Sequence, residues 1–309
     1  MKRVVLIFGG RECYLKILFP LIEKYSNHID EFRIYVATTI QSDIDYMEFF
    51  SKTHSYANTI YCKIDDKIIL DDKNLIWDNA YKSCQEPDTV YLKMDDDIVY
   101  FDETLFTDFI QYRIQNRTAP LLYPIIINNP FISCMLQDKN VYKPLKPSTI
   151  LTTWPKTYQR IKPYILENNH QRIRIGDIAR DEEILCPIGW GDVEYCYNLH
   201  NQFIGDVNQG NIQKYYLDEK IVVKNCEPVS INVCSWIGED LQQYTNKYGD
   251  VYHDENWWSI YLPTWSGNYN EIYGKCVVSH YAFYRQRELG IDSTDILEKY
   301  YHFCKLILS

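Results

Sequence analysis

The sequence predicts an α/β protein built on a doubly wound, mainly parallel sheet flanked by helices. Three observations carry that expectation. Short apolar runs alternate with segments of helical spacing through the first third of the chain. The first run closes on Gly9-Gly10, the punctuation of a buried strand entering a turn. The 309 residues are 46% hydrophobic and 24% charged, which suits one well-filled core and excludes a disordered or fibrous chain.

Arg3 to Phe8 is a continuous apolar run bounded by turn residues, hence a buried strand. Cys13 to Tyr25 repeats its apolar residues at helical spacing. Phe32 to Ala37 predicts the second strand, and Ser42 caps a helix reaching Phe50. Thr59 to Ile64 and Thr89 to Met94 predict further strands, with a helix over Leu75 to Cys84 between them. Strands separated by helices pair in parallel, and such sheets take their ligands at the carboxyl ends of the strands. After about residue 125 the alternation loosens into Pro-marked turns and a Trp-rich stretch from Trp236 to Trp265. With no linker or repeat visible, 1–309 reads as one domain, with 1–125 as its ligand-binding half and 126–309 as a second, less regular half.

Charge and apolar content exclude several classes. Lys and Arg number 32 against 42 Asp and Glu, a net charge of −10, which lacks the basic face of a general nucleic-acid binder. The start, MKRVVLIFGGRE, has too short an apolar run for a secretion signal. Leu121 to Ile127, broken by Pro124, is far too short to span a bilayer. No transmembrane segment is expected, and the chain reads as soluble and cytoplasmic. The 10 cysteines include no Cys-x-x-Cys pair, so they read as reduced core thiols rather than a zinc site. Asn116-Arg117-Thr118 fits a glycosylation acceptor by chance.

The chemistry concentrates at Tyr91-Leu-Lys-Met-Asp95-Asp96-Asp97-Ile98-Val99, where an apolar strand runs into three carboxylates. Adjacent acids repel, and a divalent cation is the usual compensation, Mg²⁺ or Mn²⁺ suiting hard oxygen ligands. In an extended segment Asp95 and Asp97 share one side and Asp96 takes the other. Two enzyme classes use such a strand end. Nucleotide-sugar glycosyltransfer uses an Asp-x-Asp element to hold the metal on a donor diphosphate. Haloacid-dehalogenase-type phosphohydrolases use the first Asp as nucleophile, and Asp95, Asp97 and Val99 fit them too, with Gly176-Asp177 and Asp181 as the later acidic element. A non-catalytic nucleotide-sugar-binding protein is the third alternative.

The last third of the chain favours the first class. Gly274 to His280 reads as an apolar strand ending in Ser-His, with Arg285 and Arg287 close behind: a third metal ligand beside a phosphate clamp. Trp236-Ile-Gly-Glu239-Asp240 places an aromatic beside paired acids at the start of a helix, which suits an acceptor site with a general base.

With FGGRE, Asp30-Glu31, KMDDDIVY, Asn128-Asn129-Pro130, Ser230 to Asp240, Asp254-Glu255 followed by Trp257, and CVVSHYAFYRQRELG running on to Thr294 to Leu297, the chain resembles the GT-A-type glycosyltransferases. More closely it resembles a glycosyltransferase-like group of fungi, some bacteria and large DNA viruses. One segment departs from that group: Gly189-Trp190-Gly191-Asp192-Val193-Glu194 stands where the group has a plain hydrophobic stretch, and it is similar instead to the acceptor motif of β-1,4-galactosyltransferases.

The resemblance implies a GT-A-like, Rossmann-like fold, with 1–125 binding a nucleotide sugar and 126–309 binding the acceptor. Asp95, Asp97 and His280 would hold Mn²⁺ or Mg²⁺ on a UDP- or GDP-sugar. Asp96 would face the donor's hydroxyls, with Phe8, Gly9, Gly10, Arg11 and Arg285 completing the donor site. Asp240, seconded by Glu239, would deprotonate the hydroxyl of a glycan or glycoprotein acceptor, with inversion. Asp192 and Glu194 are the reserve for that role, and Trp236, Trp257 and Trp258 are candidates to stack on the acceptor sugar. The viral members also admit action in a host cytoplasm.

Overall fold

A computed structural model describes residues 1–141, 165–168, 171–174, 193–223, 229–244 and 254–308. The first apolar run forms β1 (Lys2–Gly9), whose Val4 to Ile7 are buried whichever face they point to. That double burial is why the run is continuous rather than alternating. α1 (Glu12–Lys24), β2 (Glu31–Val36), α2 (Gln41–Thr53) and β3 (Ala57–Ile60) follow in the expected order. The α2 start differs from expectation: Ile40 occupies the cap and Ser42 lies inside the helix.

The predicted strand Thr59 to Ile64 divides. After β3 the chain makes a hairpin of β4 (Cys62–Ile64) and β5 (Lys67–Ile69). Asp65 and Asp66 turn it with φ of 49° and 63°, the left-handed pair that a two-residue hairpin turn requires. α3 (Lys73–Ser83) opens on Asp72, whose side chain accepts from Leu75 N. β6 (Thr89–Asp95) and β7 (Ile98–Tyr100) flank the acidic turn. Then come α4 (Asp108–Gln115), β8 (Leu122–Ile127), α5 (Pro130–Asp138), the β9 (Ile165–Asn168) and β10 (Gln171–Arg174) pair, and α6 (Val193–Asn208). The remainder is β11 (Lys220–Val223), β12 (Val233–Ile237), short helices α7 (Gly238–Leu241), α8 (Asp254–Asn256) and α9 (Leu262–Ser266), β13 (Asn270–His280), α10 (Tyr284–Glu288) and α11 (Ile296–Leu308).

One sheet crosses both halves of the sequence in the order β11-β13-β8-β12-β6-β1-β2-β3, with β7 added to β13. β6, β1, β2 and β3 pair in parallel, as do β8 and β13. β12 lies antiparallel between β6 and β8. Phe8 of β1 pairs with Asp95 of β6, and the start of β12 meets the end of β6, Val233 opposite Met94. The ends of β1, β6 and β13 and the entry to β12 therefore share one edge, and the turn after β12 falls at the other.

Of the two readings open to Trp236, Trp257 and Trp258, acceptor platform or core, the structure favours core. Trp236, Trp257 and Trp258 are almost wholly buried. Trp236 stacks on Tyr91 at 5.5 Å, and Trp258 packs against Trp236 at 4.7 Å and Trp257 at 4.6 Å. Trp236 projects from β12 itself, and the three rings pack together with Tyr91 in the core, where aromatic area is worth most.

β13 slips register beside Gly274, between Tyr273 and Val277. Gly274 exchanges backbone bonds with Leu217 and Glu219, and a Cβ here would run into the Asp218 carbonyl. Gly274→Ala is expected to destabilise the chain by about 1–3 kcal/mol, the range for overpacking. Denaturant unfolding checks this, and an unchanged midpoint would show that the strand relaxes.

Among the described cysteines, Cys62, Cys84, Cys196, Cys234, Cys276 and Cys304 are buried and Cys13 is exposed. Among the described residues no helix is long and apolar enough to cross a membrane.

Candidate functional site

The alternation of a strand places Lys93 and Asp95 on one face of β6. Lys93 is only 3% exposed. Its ammonium donates to the Asp95 carboxylate and, at 2.6 Å, to the Ile231 carbonyl before β12. Asn232 donates to the other Asp95 oxygen at 3.0 Å. Asp95 is thus fixed where β6 meets β12.

Asp96 turns the other way, as alternation requires, into the loop after β1. It accepts from Gly10 N at 3.2 Å and from Nε and Nη2 of Arg11. Asp96, which the sequence set against the donor's hydroxyls, lines the cleft, and its oxygens shape the β1 turn and hold Arg11. Gly10 borders the cleft, while Gly9 is packed behind it, where a Cβ would meet the Met47 sulfur.

Asp97 is 2% exposed and faces His280, 3% exposed, across 3.3 Å from Oδ2 to Nε2. Arg287 bonds the same oxygen, and Arg11 Nη2 stands 3.6 Å away. Burial alone would push the Asp97 carboxyl up, but His280, Arg11 and Arg287 together hold it well below the usual carboxylate range. One atom each of Asp95, Asp97 and His280 lie within 4.8 Å of one another. Asp97 Oδ1 and His280 Nδ1 are buried without a hydrogen-bond partner. Two carboxylates, an imidazole and two unmet buried acceptor or donor atoms are a donor set that fits a divalent cation of the Mg²⁺ or Mn²⁺ kind.

Two buried amides brace this edge. Asn128, at a φ of 64°, donates to the Tyr281 carbonyl at 3.0 Å and exchanges hydrogen bonds with Gln286, fixing the turn into α10. Asn129 caps α5 through Phe131 N and Ile132 N and reaches the Ser230 carbonyl. The Asn128-Asn129-Pro130 segment thereby ties the end of β8 to the end of β13 and to the entry to β12.

A cleft of about 460 Å³ opens over these groups. Phe8 and Trp77 form one wall, their ring centres 6.2 Å apart. Arg11 and Arg287 line the cleft too, their guanidinium carbons 4.8 and 5.3 Å from the centre of the Tyr14 ring. Asp254 and Glu255, from α8, face Lys93 and Asp95 from the far rim. Burial, reinforced by the neighbouring Asp254, pushes the Glu255 carboxyl up to about 7, against the opposing pull of Lys93. The sequence reading included this pair in the resemblance and gave it no role. The available signal was the one that singled out Glu239-Asp240: paired acids next to tryptophan.

The structure does not bring Glu239 and Asp240 to the cleft. β12 runs antiparallel to β6, so its Trp-Gly-Glu-Asp end lies beside Val90, at the opposite edge of the sheet. The five residues of β12 alone separate the two edges by about 16 Å at ~3.3 Å per residue. There Arg117 bonds both acids, at 2.8 Å for Asp240, and buried Arg113 stands 3.6 Å from Asp240. Asp240→Asn is expected to leave nucleotide binding unchanged and to lower stability by about 1–3 kcal/mol, since Arg113 loses its counter-charge. Calorimetric binding beside thermal unfolding separates the two effects, and a lost binding signal with intact stability would return Asp240 to the site.

Arg285 is corrected likewise: it pairs with Glu288 at 2.7 Å on the outer face of α10, and Arg287 is the residue that enters the cleft. Glu194 is exposed in the first turn of α6. Gly189 to Asp192, Gly176-Asp177 and Asp181 lie outside the described residues.

No protein-family model matches the chain, and no curated protein matches it. Among solved structures it is similar to 4-diphosphocytidyl-2C-methyl-D-erythritol synthase from Anaerococcus prevotii, with a TM-score of 0.45 and 10% identity over 97% of this chain and 95% of that one. It is also similar to a mycobacterial protein, with a TM-score of 0.43 and 10% identity over 99% of this chain and 75% of that one. The architecture on its own, a large, mostly parallel sheet between helices with its cleft at the strand ends, is consistent with a Rossmann-like nucleotide-binding fold.

Proposed function

We propose that the chain is a metal-dependent glycosyltransferase that takes a sugar from a UDP- or GDP-sugar to a hydroxyl of a glycan or glycoprotein. The observation that carries this is the convergence of Asp95, Asp97 and His280, from β6 and the end of β13, in a cleft that also holds two arginines, an aromatic wall and a raised carboxyl.

Asp95, Asp97 and His280 would hold Mn²⁺ or Mg²⁺. When bound, such an ion supplies Lewis-acid stabilisation of the leaving diphosphate. Arg11 and Arg287 add fixed positive charge for the same phosphates, and guanidinium forks match phosphate oxygens. Phe8 and Trp77 offer ring surface to the nucleotide base. Lys93 and Asn232 orient Asp95.

Glu255 takes over the base role first expected of Asp240. It lines the same cleft, beside Lys93 and Asp95, and its carboxyl is pushed up to about 7, so it can accept a hydroxyl proton as the glycosidic bond breaks. A base opposite the leaving group gives inversion at the anomeric carbon.

Incubation with UDP-glucose, UDP-N-acetylglucosamine, UDP-galactose and GDP-mannose tests the reading. Slow release of UDP or GDP from one donor, abolished by chelator, is the expected result. Hydrolysis of p-nitrophenyl phosphate with no nucleotide released would point instead to phosphohydrolase chemistry at Asp95.

A further inference from the structure

The three acids that seemed to demand a metal already have cations. Lys93 bonds Asp95, Arg11 bonds Asp96 and stands 3.6 Å from Asp97, and Arg287 bonds Asp97. Over these six groups the formal charge is −3 + 3 = 0. Asp96 and Asp97 are 4% and 2% exposed, so solvent screens this balance little. A divalent ion added at Asp95, Asp97 and His280 brings these six groups to 0 + 2 = +2, a charge that Asp254 and Glu255 beside Lys93 and Asp95 offset in part. Two events relieve it: a cation of the chain leaves its acid, or an anion arrives.

Arg287 can do the first. It shares Asp97 Oδ2 with His280, so it holds the carboxylate that an ion at Asp95, Asp97 and His280 would take, with Oδ1 alone left unbonded. Its other contact is Tyr14, whose hydroxyl accepts from Nε at 3.0 Å and hands on to Asp292. The side chain is 19% exposed and borders the cleft. Lys93 and Arg11 are held harder: Lys93 also by the Ile231 carbonyl, Arg11 by two nitrogens on Asp96.

We propose that Arg287 is the displaceable counter-ion of Asp97. The divalent ion takes the carboxylate, Arg287 passes to the nucleotide diphosphate, and the two ligands enter together. This rests on the metal and nucleotide site proposed above. Each ligand alone binds poorly, the ion because it must expel Arg287 and the diphosphate because Arg287 is engaged. Together they restore the charge balance, and by linkage each tightens the other by the same factor.

Mn²⁺ titration of the whole chain, read by the paramagnetic resonance of free Mn²⁺, tests this with UDP and GDP as probes. The wild type is expected to bind Mn²⁺ at least about tenfold tighter with one of the nucleotides present, within the usual range of coupling energies. Arg287→Met is expected to bind Mn²⁺ alone at least about tenfold tighter than the wild type and to lose most of the nucleotide's enhancement. Arg287→Lys keeps the charge and is expected to behave as the wild type does. Wild-type Mn²⁺ binding indifferent to nucleotide overturns the proposal even where Arg287→Met fails to fold. Folded Arg287→Met with unchanged Mn²⁺ affinity overturns it too. Binding without coupling removes the counter-ion role alone, whereas no Mn²⁺ binding by any variant under any condition removes the metal site as well.

Discussion

Asp97→Asn is expected to abolish metal-dependent nucleotide binding while leaving a folded chain. Asp97 is the group on which the site converges: His280, Arg287 and Arg11 all address its Oδ2. The amide loses the charge and one acceptor, so the loss of metal affinity should exceed the about 10–100-fold that follows removal of an outer-shell partner. Folding suffers less, because Arg11 and Arg287 are 37% and 19% exposed and regain solvent when released. Removing Arg287 as well, in Asp97→Asn with Arg287→Met, should restore any lost melting temperature without restoring binding. Calorimetry with Mn²⁺ and UDP or GDP gives the answer. Nucleotide affinity that still depends on Mn²⁺ in Asp97→Asn would mean that Asp97 serves only to anchor the arginines.

Glu255→Gln is expected to lower kcat by about 10²–10⁴-fold, the worth of a placed general base, with nucleotide and metal affinity unchanged. The split matters, because a structural role would move binding and stability together. The pH profile supplies a second reading. The Glu255 carboxyl is pushed up to about 7 by burial and by Asp254, so the wild-type rate should rise as pH passes through that value and the base loses its proton. In Glu255→Gln that limb should flatten. Near-normal turnover would move the role to Asp254, the other carboxylate on that rim.

The strands were legible because burial on both faces writes itself as unbroken apolar runs. β1, β2 and β6 each match such a run to within a few residues. The edge that holds the acids was legible too, since parallel order sends strand ends to one side. Asp95, Asp97 and His280 could be grouped from strand ends alone, although 183 residues separate Asp97 from His280 in the chain. What could not be read was direction. Nothing in Val233 to Asp240 states that β12 runs backwards between β6 and β8, and that reversal carries Asp240 to the far edge while leaving Asn232 at the site. Helix phase was equally hidden: Arg285 and Arg287 are two residues apart, which on a helix turns one outward and the other toward Asp97. The tryptophans were legible only as core or platform, because burial and ligand stacking select the same side chain. Arg11 and Arg287 were expected near the phosphates, but their pairing with Asp96 and Asp97 was not legible, since they reach the cluster from either end of the chain.

Donor binding that depends on a divalent ion is the claim on which the rest stands. A thermal-shift panel of UDP, GDP, CMP and dTDP and their sugars, each with Mn²⁺ and with chelator, tests it most directly. A ligand at 100 times its dissociation constant adds about 2.7 kcal/mol to stability. One nucleotide class should therefore raise the melting temperature by several degrees with Mn²⁺ and by almost nothing with chelator. A shift as large in chelator, or none with any nucleotide, would contradict a metal-bridged nucleotide at Asp95, Asp97 and His280.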